Sequence, residues 1–74
     1  MEIKSFVEID GVFVDFREID YIESEELGLG GIYGYRLRIG FKNEATVLGN
    51  TISKTLEEST DYIRASLSKL AMLG

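Results

Sequence analysis

The chain predicts an α+β domain in which an antiparallel sheet of four to five strands packs against one C-terminal amphipathic helix. Three observations lead there. An Asp-Gly dipeptide joins two short apolar runs, a strict two-residue alternation runs through Tyr33 to Phe41, and the spacing turns helical after Thr55.

The first element is a hairpin. In KSFVEIDGVFVDF, Asp10-Gly11 suits the left-handed conformations of a two-residue type I′ turn. Pairing Ile9 with Val12 sets Val7 opposite Val14 and Ser5 opposite Phe16, so Val7, Ile9, Val12, Val14 and Phe16 share a core face. The other face receives Lys4, Phe6, Glu8, Phe13, Asp15 and Arg17.

A short strand follows around Asp20 to Glu23, where Ile19, Tyr21 and Ile22 alternate imperfectly. Ser24 to Gly31 is polar and then glycine-rich, which is loop composition. From Ile32 a long half-buried strand is expected, with Tyr33, Tyr35, Leu37, Ile39 and Phe41 on the core side and Gly34, Arg36, Arg38, Gly40 and Lys42 on the other. Lys42-Asn43-Glu44 turns it into a partner around Ala45 to Leu48. A three-residue loop points Ala45 and Val47 inward, whereas two or four residues point Thr46 and Leu48 inward.

The helix is predicted over about Thr55 to Leu73. Thr55 and Glu58 fit a capping box, Leu56, Ile63, Leu67, Leu70 and Ala71 recur near helical spacing, and Gly74 stands where a C-terminal cap often sits.

With 74 residues, a single domain over 1–74 and one modest core are expected. Chains this short bury only about 60% of their unfolded surface and often lean on disulfides, metals or self-association. Cysteine and histidine are both absent. That composition removes thiolate nucleophiles, imidazole bases, Cys/His zinc sites and disulfides. No apolar run approaches a membrane span and no secretory leader stands out, so a cytoplasmic protein without membrane contact is expected.

The net charge of −5 disfavours nucleic acid as a direct ligand. Acidity is concentrated: residues 8–26 carry eight acids against Arg17, a net of −7, whereas residues 27–74 carry six basic and four acidic residues, a net of +2.

Four features are candidates for function. Gly28, Gly30 and Gly34 come near a dinucleotide fingerprint, but a strand opens after them where a helix is needed, so a hairpin connection is the expected role. Arg36, Arg38 and Lys42 share one strand face between Gly34 and Gly40, whose missing side chains would admit a flat group. Two arginines pointing the same way suit an anion or a partner's carboxylates, or pair with acids of a neighbouring strand. The acidic row Asp15, Glu18, Asp20, Glu23, Glu25 and Glu26 reads as a solvated face or a partner surface. No calcium-loop spacing occurs in it, so no metal and no cofactor are expected. Phe6 and Phe13 lie opposite the core within diagonal reach of each other, which marks an oligomer interface.

The phrases FVEIDGVFVDFREIDYIE and YRLRIGFKNEATVLG, followed by a helix, resemble a loose group of very short bacterial and phage proteins. The resemblance implies a compact sheet-plus-helix fold and no catalytic residues. The GLGGIYG insertion departs from that pattern, which leaves the connection between the third and fourth strands open.

The expected function is a non-enzymatic interaction module that self-associates and binds a protein partner. One alternative is a phage or mobile-element inhibitor that presents its acids to a nucleic-acid-binding or defence protein. A third is an anion or nucleotide binder using Arg36 and Arg38.

Overall fold

The computed structural model describes residues 5–28, 30–31 and 33–73 of the chain. Expectations placed on Lys4, Ile32 and Gly74 lie outside the described residues. The order is β1 (Phe6–Ile9), β2 (Val12–Asp15), a 3-10 turn (Phe16–Glu18), β3 (Ile19–Leu27), β4 (Gly34–Phe41), β5 (Thr46–Ser53) and α1 (Leu56–Leu73). Five antiparallel strands and one C-terminal helix form an α+β fold, with the strands divided into a β1–β2 hairpin and a β3–β4–β5 meander.

The hairpin takes the expected register, Val7 opposite Val14 and Ile9 opposite Val12. Its turn has φ of +49° at Asp10 and +82° at Gly11, the paired positive values of a type I′ turn. Val7, Ile9 and Val14 are buried with Leu37 and Ile39, while Ile22, Val47, Ile63 and Leu70 pack around them. Hairpin and helix therefore share the inner face of the meander.

β3 is longer than expected. A bulge between Ile19 and Tyr21 turns Ile19 and Ile22 both inward, and this is why the apolar residues there alternate poorly. Ser24 to Leu27 is strand rather than loop: each residue has a partner on β4, from Ser24 opposite Leu37 to Leu27 opposite Gly34. The polar composition reflects what those side chains meet. Ser24 faces the helix, where its hydroxyl shares a 2.6 Å hydrogen bond with that of Ser59.

β4 begins at Gly34, and Tyr33 is 76% exposed instead of facing the core. Lys42 lies beyond the strand, in the turn, where its N–H donates to the Glu18 carbonyl at 2.9 Å. The loop takes the three-residue form. Glu44 has a positive φ of +73°, its N–H donates to the Phe41 carbonyl, and Val47 faces inward opposite Ile39. Ala45 is exposed.

β5 continues past Leu48 to Ser53 through a bulge: Arg38 pairs with Leu48 but Arg36 with Ile52, so Gly49, Asn50 and Thr51 together face Leu37. Gly49-Asn50 looks like a strand terminator. Here it makes room for the hairpin tip, because a Cβ on Gly49 would stand 2.3 Å from Asp10 Oδ2.

The helix begins as expected. Thr55 Oγ1 accepts from the Glu58 N–H at 3.1 Å, and Glu58 Oε2 accepts from the Lys54 N–H at 3.1 Å, one residue earlier than a standard capping box. Thr55→Ala should cost about 1 kcal/mol in a denaturant titration and lower the helical circular dichroism near the transition. The buried stripe differs from the expected one. Ser59 and Ser66 are buried and Ile63 and Leu70 pack on the core, whereas Leu56 and Leu67 are about half exposed and Ala71 is exposed. Two small serines at helical spacing allow close approach to the sheet. An apolar count along the helix overlooks them.

Candidate functional site

The outer side of the hairpin is built by the period of its own strands. Phe6 pairs with Asp15 and Phe13 with Glu8, which puts the two rings on one face at diagonal positions. Phe13 is 74% exposed and Phe6 41%. At the rim, Arg17 N–H donates to Asp15 Oδ1 at 3.0 Å, and its guanidinium lies 3.4 Å from the same oxygen. That guanidinium, with the backbone N–H adding to it, holds the Asp15 carboxyl below its ordinary range.

The second surface is the outer face of the meander. Arg38 Nη1 donates to Glu25 Oε1 at 3.2 Å, and Arg38 Nε stands 3.6 Å from Glu23 Oε1. Glu23 is the residue opposite Arg38 and Glu25 the diagonal one. The Tyr21 oxygen, and after it the two carboxylates, push the guanidinium above its ordinary value. Arg38 thus meets this chain's own acids. Arg36 has no carboxylate within 4.0 Å among the described residues, and its buried Nε has no hydrogen-bond partner there.

The two flanking glycines do not leave open space. A Cβ on Gly40 would meet the Tyr21 ring at 2.1 Å, and one on Gly34 would meet Ile52 Cγ2 at 2.7 Å. The expected gap for a flat group is filled by this chain's own side chains. Of the acidic row, Glu23 and Glu25 are drawn to Arg38 and Asp15 to Arg17, Glu18 ends the 3-10 turn, and Asp20 and Glu26 are exposed. Arg36 and Arg38 share a face, and Lys42 stands apart in the turn.

A third feature escapes sequence reasoning. The Asp10 side chain is turned into the protein, and the residue is only 8% exposed. Its Oδ2 accepts from Thr51 N–H at 2.8 Å, and its Oδ1 accepts from Thr51 Oγ1 at 2.5 Å and from Tyr62 Oη at 3.2 Å. Its carbonyl accepts from Asn50 N–H at 3.2 Å. One residue therefore ties the hairpin tip to the β5 bulge and to the helix. The available signal is Asp10 itself, an acid at a left-handed turn position next to a core strand, together with the Gly49-Asn50-Thr51 run. Nothing in the spacing links them.

A groove of about 240 Å³ lies beside Asp10 between hairpin and helix, lined in part by Glu8, Tyr62, Ser66 and Lys69. Its polar groups are engaged: Lys69 Nζ donates to the Glu8 carbonyl at 2.7 Å and lies 3.7 Å from Glu8 Oε1. Burial, and then the Asp10 charge, raise the Tyr62 phenol above its ordinary value. A second, open groove of about 400 Å³ is bordered by Glu26, Leu27, Tyr33, Tyr35 and Lys54 at the glycine-rich end. Among the described residues, no group of three or more acids is arranged to hold a metal ion. No helix there is long and apolar enough to cross a membrane.

Comparison of the chain with protein families, curated proteins and solved structures returned no match.

Proposed function

We propose that the protein is a non-enzymatic interaction module that self-associates through the outer face of the β1–β2 hairpin, centred on Phe6 and Phe13, and binds a further protein partner. The observation that carries this reading is the exposure of Phe13, at 74%, beside a half-exposed Phe6. Burying one phenylalanine contributes about 1.5–3 kcal/mol, and a two-fold contact uses each ring twice.

The overall dimensions are those of an elongated chain with surface to spare for association. The accessible surface is 5226 Å², against about 4600 Å² for a typical monomer of 8.3 kDa. The radius of gyration is 12.7 Å, against about 11 Å for a compact chain of this length. A lean core and surplus surface favour association.

A sheet edge is a weaker route to self-association. The β5 edge receives the hairpin tip at Asn50 and Thr51. β3 carries Asp20, Glu23, Glu25 and Glu26, so pairing with its own copy sets carboxylates against carboxylates. On the hairpin face each acid has a basic neighbour within the chain, Arg17 for Asp15 and Lys69 for Glu8.

Light scattering across a concentration series tests the proposal. The wild-type chain should exceed monomer mass at high micromolar concentration, and Phe13→Glu should return it to monomer with its circular dichroism unchanged. A wild-type chain that stays monomeric rules the proposal out.

A further inference from the structure

The meander has two unlike edges. That of β5 is occupied at its middle by the Asp10 tip, whereas β3 has one hydrogen-bonded neighbour, β4, and no strand on its other side among the described residues. β3 runs for nine residues without proline, and the helix approaches it from the inner face through Ser59 and Ser24. A strand edge of this kind presents unpaired N–H and C=O groups that can bond an added strand.

We infer that the free edge of β3 takes an extended basic segment of another protein, which joins the meander as a fourth strand. Charge selects the occupant. Asp20, Glu23, Glu25 and Glu26 bring four negative charges to nine residues that hold no basic one, and of the two arginines opposite them on β4 only Arg38 touches carboxylates, those of Glu23 and Glu25, to which it brings a single positive charge. A second copy is rejected by this charge, and a lysine- or arginine-bearing strand is drawn to it.

The pattern on the outer side sharpens the partner further. Tyr21, Glu23, Glu25 and Leu27 face outward in turn, since their partners on β4 are Gly40, Arg38, Arg36 and Gly34. Along the edge this reads apolar, acidic, acidic, apolar. The matching strand carries apolar, basic, basic and apolar side chains at alternate positions, because directly opposed cross-strand pairs are what a sheet rewards. The acids that protect this edge from self-pairing thus also give it a preference among foreign strands. This edge is separate from the hairpin face, so the inference goes beyond self-association.

The test uses the full chain, ¹⁵N-labelled, and a capped heptapeptide with valine at both ends, lysines at the third and fifth positions and threonines between. Saturable amide shifts should map to β3, with slowed hydrogen exchange at its outward-facing amides. Binding should weaken at least tenfold when glutamates replace the peptide lysines, or in the Glu23→Gln/Glu25→Gln variant. A peptide N-methylated at alternate amides keeps its charge but cannot complete the ladder, and it should not bind. Phe13→Glu should bind the heptapeptide as the wild type does, which separates this inference from the hairpin interface. The inference is overturned by the absence of saturable shifts on β3, by equal binding of the acidic or N-methylated peptide, or by a Glu23→Lys variant that binds as tightly as the wild type.

Discussion

Asp10→Ala should destabilise the protein by about 3–4 kcal/mol, the largest effect expected of any single polar substitution in this chain. Three hydrogen bonds end on that carboxylate, from Thr51 N–H, Thr51 Oγ1 and Tyr62 Oη. Bonds to a charged group contribute about 1.5–3 kcal/mol each, they do not sum in full, and buried donors left behind add a penalty. Alanine is also strained at the Asp10 φ of +49°. A chain of this size holds only about 4–11 kcal/mol in total, so the variant stands near the edge of folding. Asp10→Asn tolerates the backbone and keeps one acceptor, so it should lose about half as much. Gly49→Ala probes the same contact from the other side. Its Cβ would meet Asp10 Oδ2 at 2.3 Å, and that oxygen is held by Thr51 N–H and cannot retreat freely. A loss of about 1–3 kcal/mol is expected. Urea titrations of the three variants should rank Asp10→Ala as the least stable. An Asp10→Ala protein as stable as the wild type would remove the clamp from the account.

Ile39→Ala should cost about 3–4 kcal/mol. Ile39 is fully buried and stands in the central strand between Ile22 of β3 and Val47 of β5. Strands on both sides restrict collapse into the space left behind, so the cavity penalty adds to the lost transfer energy. Ile39→Val should cost only about 1 kcal/mol. Phe13→Ala provides the contrast: its ring is mostly solvent-exposed in the single chain, so the folding stability of the monomer should change by less than about 0.5 kcal/mol. Denaturation at low protein concentration separates these outcomes from any effect of association.

Local chemistry made part of this fold readable from residues. Asp10-Gly11 set the hairpin register through its left-handed turn, Thr55 and Glu58 marked the helix start, and the Leu37/Ile39 alternation located the central strand. What stayed hidden depends on contacts between segments far apart in sequence. Ser24 and Glu25 are polar because one meets Ser59 of the helix and the other meets Arg38, so the composition of this stretch resembles a loop. Gly49-Asn50 resembles a turn because the space its bulge opens is filled by Asp10, some forty positions earlier in the chain. The helix buries Ser59 and Ser66 where an apolar count selects Leu56 and Leu67.

The candidate surfaces divide in the same way. Strand period was enough to put Phe6 and Phe13 on one outer face. It also put Arg36 and Arg38 together, but the register sets Arg36 opposite Glu25, and only the diagonal reach of Arg38 to that carboxylate separates their fates. Arg38 is taken up by Glu23 and Glu25, and Arg36 is left without a carboxylate among the described residues. A two-arginine anion site would have to draw Arg38 away from carboxylates that already hold it.

An isotope-filtered NOE experiment on an equal mixture of ¹³C/¹⁵N-labelled and unlabelled chains tests self-association through the hairpin face most directly. Contacts between copies are expected at the ring protons of Phe6 and Phe13, and they should disappear in Phe13→Glu. Contacts between copies confined to the exposed Leu56 and Leu67 side of the helix, or none at millimolar concentration, would contradict that association.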